Sequence, residues 1–253
     1  MVDTFYSFLQ FVTAGIFPVI VLIVISTRFS IEVWGELTII QVIAALSLIV
    51  INCGSDSYGV REMSKNKGLI YNDNLVFNTY LSRLISFGIF AVCSLYPLVI
   101  YFDELAFFTV TLSLLNCLSP FWIFVGLKRL RSVVLFEFVV RTIALLLMIL
   151  TVKGDDNIYQ YCTILLLVPL VINIYSWLEF FHQRDLHGFG SIKIDILSLY
   201  KKLFPFLTFQ ALQQAYIGLP VLVVGFRLGY NYSAIYGNSE KFQRILRGVI
   251  SPI

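Results

Sequence analysis

Val133–Val152 reads VVLFEFVVRTIALLLMILTV, a run of twenty residues whose only charges are Glu137 and Arg141 and whose remainder is apolar except for two threonines. An α-helix rises 1.5 Å per residue, so about 20 mostly apolar residues are what it needs to cross the hydrocarbon of a bilayer. Peptide groups in that hydrocarbon find no water, which leaves an internally hydrogen-bonded helix as the expected form. Six further runs of the same kind flank it, approximately Phe5–Ser26, Leu37–Ile51, Leu84–Tyr101, Leu105–Phe124, Tyr159–Phe181 and Leu203–Phe226. The expected fold is therefore all-α, a polytopic transmembrane helical bundle.

Composition agrees. Of 253 residues, 58% are apolar or aromatic and 13% charged, with a mean hydropathy of +0.86. Soluble domains carry about a quarter charged residues, so a water-soluble enzyme is excluded. Disorder requires low hydrophobicity and is excluded too. A net charge of +3 is too small to argue for a nucleic-acid partner, which needs a basic patch or stripe. The first run has no basic residue before it and is longer than a signal-peptide core, so it is expected to stay as a helix. Cys53, Cys93, Cys117 and Cys162 have no metal-type spacing and lie in or beside apolar runs; they are expected to be small buried hydrophobes.

The charges set an orientation. With a cytoplasmic amino terminus, the inner loops hold Arg61, Lys65, Lys67, Lys128, Arg129, Arg131, Arg184, Lys193, Lys201 and Lys202, whereas the outer loops hold Arg28, Lys153 and Arg227. Cytoplasmic loops carry the excess of Lys and Arg, so this orientation is expected. Trp34, Tyr101, Trp122, Tyr159 and Trp177 fall near span ends, where interfacial aromatics concentrate.

Sliding the chain by 202 positions places Pro18 on Pro220, Val19–Val21 on Val221–Val223, and Trp34 and Gly35 on Tyr236 and Gly237. The offset equates the first span with the seventh. Six spans separate them, so the repeat is parallel, as in transporters whose halves are related by an axis along the membrane normal. On this reading 1–200 form one six-helix lobe, and 201–253 supply helix seven and the beginning of helix eight of a second. The chain is then expected to stop inside helix eight.

Charges inside spans are the candidate site. A central Arg costs about 2.5–3.5 kcal/mol to insert, so such residues face protein or a water-filled cavity. Arg141 lies mid-span with Glu137 one turn before it, the favourable order for a helical ion pair; a self-neutralised structural pair and a cavity lining are both open. From Asn238 to Ile253, Glu240, Arg244 and Arg247 share one helical face, opposite Phe242, Ile245, Leu246, Val249 and Ile253. This amphipathic segment either lies in the interface or crosses with its charges turned inward. Arg83 is expected to snorkel to the interface, and Glu179 is read the same way. An Arg-lined cleft suits an anionic phosphate or pyrophosphate group, which guanidinium binds bidentately. The only histidines, His182 and His187, form no HExxH pattern, and neither a Walker A lysine motif nor GxGxxG is present. No metal, cofactor or chemical catalysis is expected.

Three stretches carry a family resemblance: YGVREMSKNKG at Tyr58–Gly68, SPFWIFVGLKRLRSV at Ser119–Val133 and SAIYGNSEKFQRILRGVISPI at Ser233–Ile253. Together they resemble the Wzx-type O-antigen and polysaccharide flippases of the multidrug/oligosaccharidyl-lipid/polysaccharide exporter superfamily. Gly59, Arg61, Glu62, Lys65 and Asn66 match the first pattern; Trp122, Phe124 and Gly126 match the second, with Val125 where Gln is usual. Tyr236, Glu240, Lys241 and Pro252 match the third, with Ala234 where Gly is common. The resemblance implies two lobes around a central cavity in the cell inner membrane. It implies that the chain carries undecaprenyl-pyrophosphate-linked oligosaccharide repeat units between leaflets by alternating access, among membrane lipids and beside a polysaccharide polymerase and chain-length regulator. Arg61 and Lys65 would then form a cytoplasmic entrance, and Glu137, Arg141, Glu240, Arg244 and Arg247 would meet the cargo. A drug exporter of the same architecture and an inactive truncated product are the alternatives. A polymerase or ligase is disfavoured by the short outer loops.

Overall fold

The computed structural model describes residues 17–65, 73–102, 105–183 and 194–250, with residues 9, 13 and 15, and side chains as far as residue 243. Among these, the helices are α1 (Phe17–Ser26), α2 (Ile31–Asn52), α3 (Ser55–Lys65), α4 (Asp73–Phe102), α5 (Leu105–Cys117), α6 (Phe121–Gly126), α7 (Arg131–Thr151), α8 (Ile158–Gln183), α9 (Ile196–Leu228) and α10 (Tyr230–Ile250). Six segments are long and apolar enough to cross a membrane: α2, α4, α5 with α6, α7, α8 and α9. The chain is an all-α polytopic membrane protein. Several helices outrun the apolar runs that announce them. α2 begins at Ile31 rather than Leu37, because the Ser30 hydroxyl accepts from the Val33 amide and caps the first turn. α4 begins at Asp73 rather than Leu84, and its acidic first residue suits the positive end of a helix dipole.

α2 is the central helix, packed against α4, α5, α9 and α10. Lipid tails are as apolar as leucine, so helix association in a membrane rests on close packing of small residues. Antiparallel α9 brings Gly225 against Ile39 and Gly218 against Val42 and Leu46, while parallel α10 brings Ser233 against Gly35 and Gly237 against Thr38. α10 is thus seated in the bundle over its first turns, with Ser233 and Ala234 buried. Cys53 at φ 48° and Gly54 at φ 77° then turn the chain sharply into α3. A Cβ on Gly54 would lie 2.6 Å from the Phe206 Cβ on α9, so that turn is also a close approach.

The span expected at Leu105–Phe124 is broken. α5 stops at Cys117 and Pro120 opens the short α6, which ends with Lys128 at φ 56° and bonds from the Arg129 and Lys128 amides to Phe124 and Val125, a Schellman closure. The break frees the carbonyls of Leu115, Cys117, Leu118 and Ser119. Bare carbonyls at membrane depth are costly, and irregular backbone survives there only when protein satisfies it. Each has a side-chain donor: Asn173 Nδ2 to Leu115, Arg83 Nη1 to Cys117 at 3.2 Å, Trp177 Nε1 to Leu118 at 3.0 Å and the Tyr80 hydroxyl to Ser119 at 2.9 Å. Tyr80→Phe keeps the ring and removes one donor. It is expected to destabilise the protein by about 1–3 kcal/mol and to speed amide exchange locally at 119–123, read by hydrogen-exchange mass spectrometry; unchanged exchange would contradict this account of the break.

The two ends of the bundle differ in charge. One carries Arg61, Lys65, Lys128, Arg129, Arg131, Lys201 and Lys202; the other carries Arg28, Lys153 and Arg227. At the sparse end Arg28 donates to the carbonyls of Ile149 and Val152, closing the carboxyl end of α7 as a cation suits it. Asp155 accepts from the Ser30 amide at 2.7 Å and ties the two adjoining turns together. Lys67, Arg184, Lys193 and His187 lie outside the described residues, as does most of the first run, 5–26, before Phe17.

Candidate functional site

α1, α2, α5, α6, α7, α8 and α10 border a half-open cavity of about 580 Å³. Its walls are mainly apolar, and a small polar set is fixed on them: Gln41, Asn116, Asn173, Lys241 and the pair Glu137–Arg141. This is the pattern of a ligand site, an apolar concavity with a few placed polar groups.

Glu137 and Arg141 follow from helical spacing. One turn apart on α7, they place Arg141 Nη2 2.6 Å and Nε 2.9 Å from the same oxygen, Glu137 Oε1. Glu137 is buried, whereas the Arg141 side chain is 27% exposed. The arginine is the more exposed member of an ion pair that lines the cavity as a unit. The pair thus neutralises itself and also lines the cavity.

α10 contributes Lys241, whose Nζ donates to Gln41 Oε1 at 3.2 Å and lies 5.5 Å from the centre of the Trp34 ring. Gln41 Nε2 in turn donates to the Tyr161 hydroxyl at 3.4 Å, so a polar chain crosses from α10 over α2 to α8. At the sparse end three rings pack together. Phe29 stacks on Trp34 with centroids 6.3 Å apart and meets the edge of Tyr161 at 5.6 Å, and the Trp34 indole donates to Asn238 Oδ1 at 3.0 Å. Trp34 is thus buried, not an interfacial belt residue, because α10 covers it. Tyr101 and Tyr159 are exposed as interfacial residues should be. Arg141 and Lys241 against Glu137 leave the lining with a cationic excess among the described residues.

Of the described family-pattern positions, Lys241 lines the cavity and the others fall elsewhere. Gly59 of α3 lies under the Trp122 ring, and Gly126 of α6 lies where a Cβ would be 2.6 Å from Met63 Cβ. Phe124 is fully buried. The first two motifs are therefore one packing unit, α3 on α6, at the basic end. Arg61 and Lys65 are on its exposed face, with Lys65 Nζ 2.6 Å from Glu62 Oε1, and line neither this cavity nor the groove described below. Partial burial first, and then the Glu62 carboxylate, push the Tyr58 phenol above its ordinary value, which keeps it a neutral group. Tyr236 is exposed, and Glu240 sits half-buried on α10 outside the cavity lining. The side chains of Arg244 and Arg247, and Asn66 and Pro252, lie outside the described residues.

Arg83 corrects a sequence reading. Rather than snorkelling, it is 1% exposed and binds Asp56 Oδ1 at 2.6 Å, Ser55 Oγ at 2.7 Å and the Cys117 carbonyl. Its guanidinium also lies 5.4 Å from the Tyr80 ring centre and 5.8 Å from that of Trp122. It joins α3, α4 and the α5–α6 break. Glu179 accepts from the Ser132 hydroxyl at 2.9 Å. Of the cysteines, Cys117 and Cys162 are buried, but Cys93 is exposed on α4. Sequence reading also passed over Gln41, Asn116 and Asn173; the first two were lone amides in their apolar runs, and Asn173 was the one amide in the interior of its own. Among the described residues no cluster of three or more His, Cys, Asp or Glu side chains is assembled. No protein-family model, curated protein or solved structure matches the chain.

Proposed function

We propose that the chain moves an anionic, lipid-linked oligosaccharide between the leaflets of a membrane, as the Wzx-type flippases that its sequence resembles do. The observation that carries this reading is the cavity that Arg141 lines inside a membrane bundle. A guanidinium kept at mid-membrane is expensive, and phosphate oxygens are the partners its planar fork fits. Gln41, Asn116, Asn173 and Lys241 add donors and acceptors of the kind sugar hydroxyls use. The Lys and Arg excess of the basic end supports a cytoplasmic location for it, with the amino terminus inside and the end that carries the packed rings outside. The cargo class is an undecaprenyl-pyrophosphate-linked repeat unit, the membrane a bacterial inner membrane, and the process transport without a chemical step. The parallel seating of α10 on α2 supports the two-lobe reading, since the repeat equates these helices and a membrane-normal axis would make them parallel.

Proteoliposomes carrying a fluorescent polyprenyl-pyrophosphate oligosaccharide test it. Wild-type protein is expected to move the label between leaflets, Arg141→Ala to slow movement at least about tenfold, and Arg141→Lys to keep part of it at equal protein content. Equal rates for all three, or for empty vesicles, would sink the reading. Drug resistance conferred on host cells would instead favour an exporter of the same architecture.

A further inference from the structure

A second concavity, of about 650 Å³, opens on the outside of the bundle between α4 and α8, where the α5 break leaves Leu115 and Leu118 as its floor. Its walls are Val76, Phe77 and Tyr80 on one side and Leu170, Ile174 and Trp177 on the other. Phe77, Ile174, Leu178 and Phe181 at its rim are 40%, 54%, 64% and 54% exposed, so the groove faces bilayer hydrocarbon. Along α8 it runs from Leu170 to Phe181, about 16 Å at 1.5 Å per residue. That is about the depth of one leaflet of a 30 Å hydrocarbon core. It lies in the half of the bundle nearer the basic end, since the starts of α4 and α9 meet there through Asn78 and Asp195.

One residue, Asn173, lines both this groove and the polar cavity. It is 7% exposed, and its amide donates to the Leu115 carbonyl freed by the break. A single side-chain hydrogen bond thus forms part of the partition between an apolar slot in one leaflet and the chamber that holds Arg141.

We infer that this groove binds the hydrocarbon chain of the same cargo whose anionic head meets Arg141, with Asn173 at the crossing point. The inference rests on the proposed function and names a subsite for it. The slot suits a flexible chain rather than a protein helix. A docked helix would have no link to the polar chamber that Asn173 also lines. A chain emerging from an anionic head in the cavity has, by contrast, an apolar channel adjoining it at the right depth. Bulk acyl chains also touch such a surface; what the juxtaposition predicts is selectivity for a chain that carries a phosphate head.

The test is photolabelling of the full chain in nanodiscs, with a diazirine polyprenyl phosphate compared against a diazirine phosphatidylglycerol, and the labelled positions read by mass spectrometry. Polyprenyl phosphate is expected to label Phe77, Leu118 and Ile174 at least fivefold more than phosphatidylglycerol does. Ile174→Trp, which fills the slot at a lipid-facing position, should abolish that preference, and Leu219→Trp on the exposed face of α9 should leave it intact. Equal labelling by both lipids, labelling elsewhere, or crosslinks to another protein's helix would overturn the inference. Arg141-dependent binding of polyprenyl pyrophosphate is measured in parallel. If it persists while groove labelling is unselective, only the groove assignment falls; if neither lipid head nor chain is bound, both readings fall together.

Discussion

Arg83→Met is expected to lower the unfolding midpoint of the purified protein by about 6–12 °C, from a loss of about 3 kcal/mol. The substitution keeps much of the side-chain volume and removes every polar contact. It leaves the Cys117 carbonyl bare inside the bundle, removes the Ser55 contact and leaves Asp56 with only the Asn52 amide as a side-chain donor among the described residues. The cost is set at the lower end for a broken buried pair because the Asp56 side chain is 44% exposed and can still be hydrated. Arg83→Lys should recover part of the loss, since an ammonium reaches one acceptor but not the three that the guanidinium spans. Differential scanning fluorimetry in detergent checks both variants. A midpoint within 2 °C of wild type for Arg83→Met would mean that the charge is hydrated in place and that α3, α4 and the α5–α6 break do not depend on it.

A comparable effect is expected at the α2–α10 contact. A Cβ on Gly35 would fall on the Tyr230 carbonyl, and backbone cannot move aside as a flexible side chain can. Gly35→Leu should therefore separate α10 from α2 rather than be absorbed locally, because overpacking against rigid neighbours costs more than the usual 1–3 kcal/mol or so. Disulfide trapping gives the readout. A Cβ on Gly237 would lie 3.8 Å from the Thr38 Cβ, the separation a disulfide requires, so Thr38→Cys with Gly237→Cys should crosslink rapidly under mild oxidation. Adding Gly35→Leu should reduce the crosslink at least about tenfold. A crosslink that survives, or one that never forms in the parent, would show that α10 does not run parallel to α2 over these turns.

These cases show why some features were legible in the sequence and others were not. Apolar run length announced the bundle, because it reflects a constraint that each helix meets alone: backbone satisfaction in hydrocarbon. Helix starts were misplaced where the first turns are polar, as at Ile31–Glu36 and Asp73–Ser82, since a helix continues past the bilayer whenever a cap and packing support it. The break at Pro120 was invisible for a different reason. Pro97, Pro169, Pro205 and Pro220 sit inside unbroken helices, so proline alone does not tell a kink from an interruption. What distinguishes Pro120 is four donors on α4 and α8, none adjacent in sequence. Arg83 failed for the same cause. Its place near a span end resembled a snorkelling residue, and its burial depends on Asp56 folding back on α3. Glu137 and Arg141 were legible because their geometry is set by one turn of one helix.

The cavity gives the molecule an interior that is mostly apolar and locally cationic, with a cluster of packed rings at one end and an exposed apolar groove near the other. On the proposed function, such a chamber would accept an anionic head while its chain stays in hydrocarbon, and a phosphate would compete with Glu137 for Arg141. The most direct test is the binding of polyprenyl pyrophosphate and of uncharged polyprenol to wild-type and Arg141→Ala protein, measured by native mass spectrometry. The account predicts that wild type prefers the pyrophosphate, and that Arg141→Ala loses this preference by about 10- to 100-fold, as expected for charged hydrogen bonds, with polyprenol binding unchanged. Equal binding of the two lipids by wild type, or a preference that persists without Arg141, would contradict it.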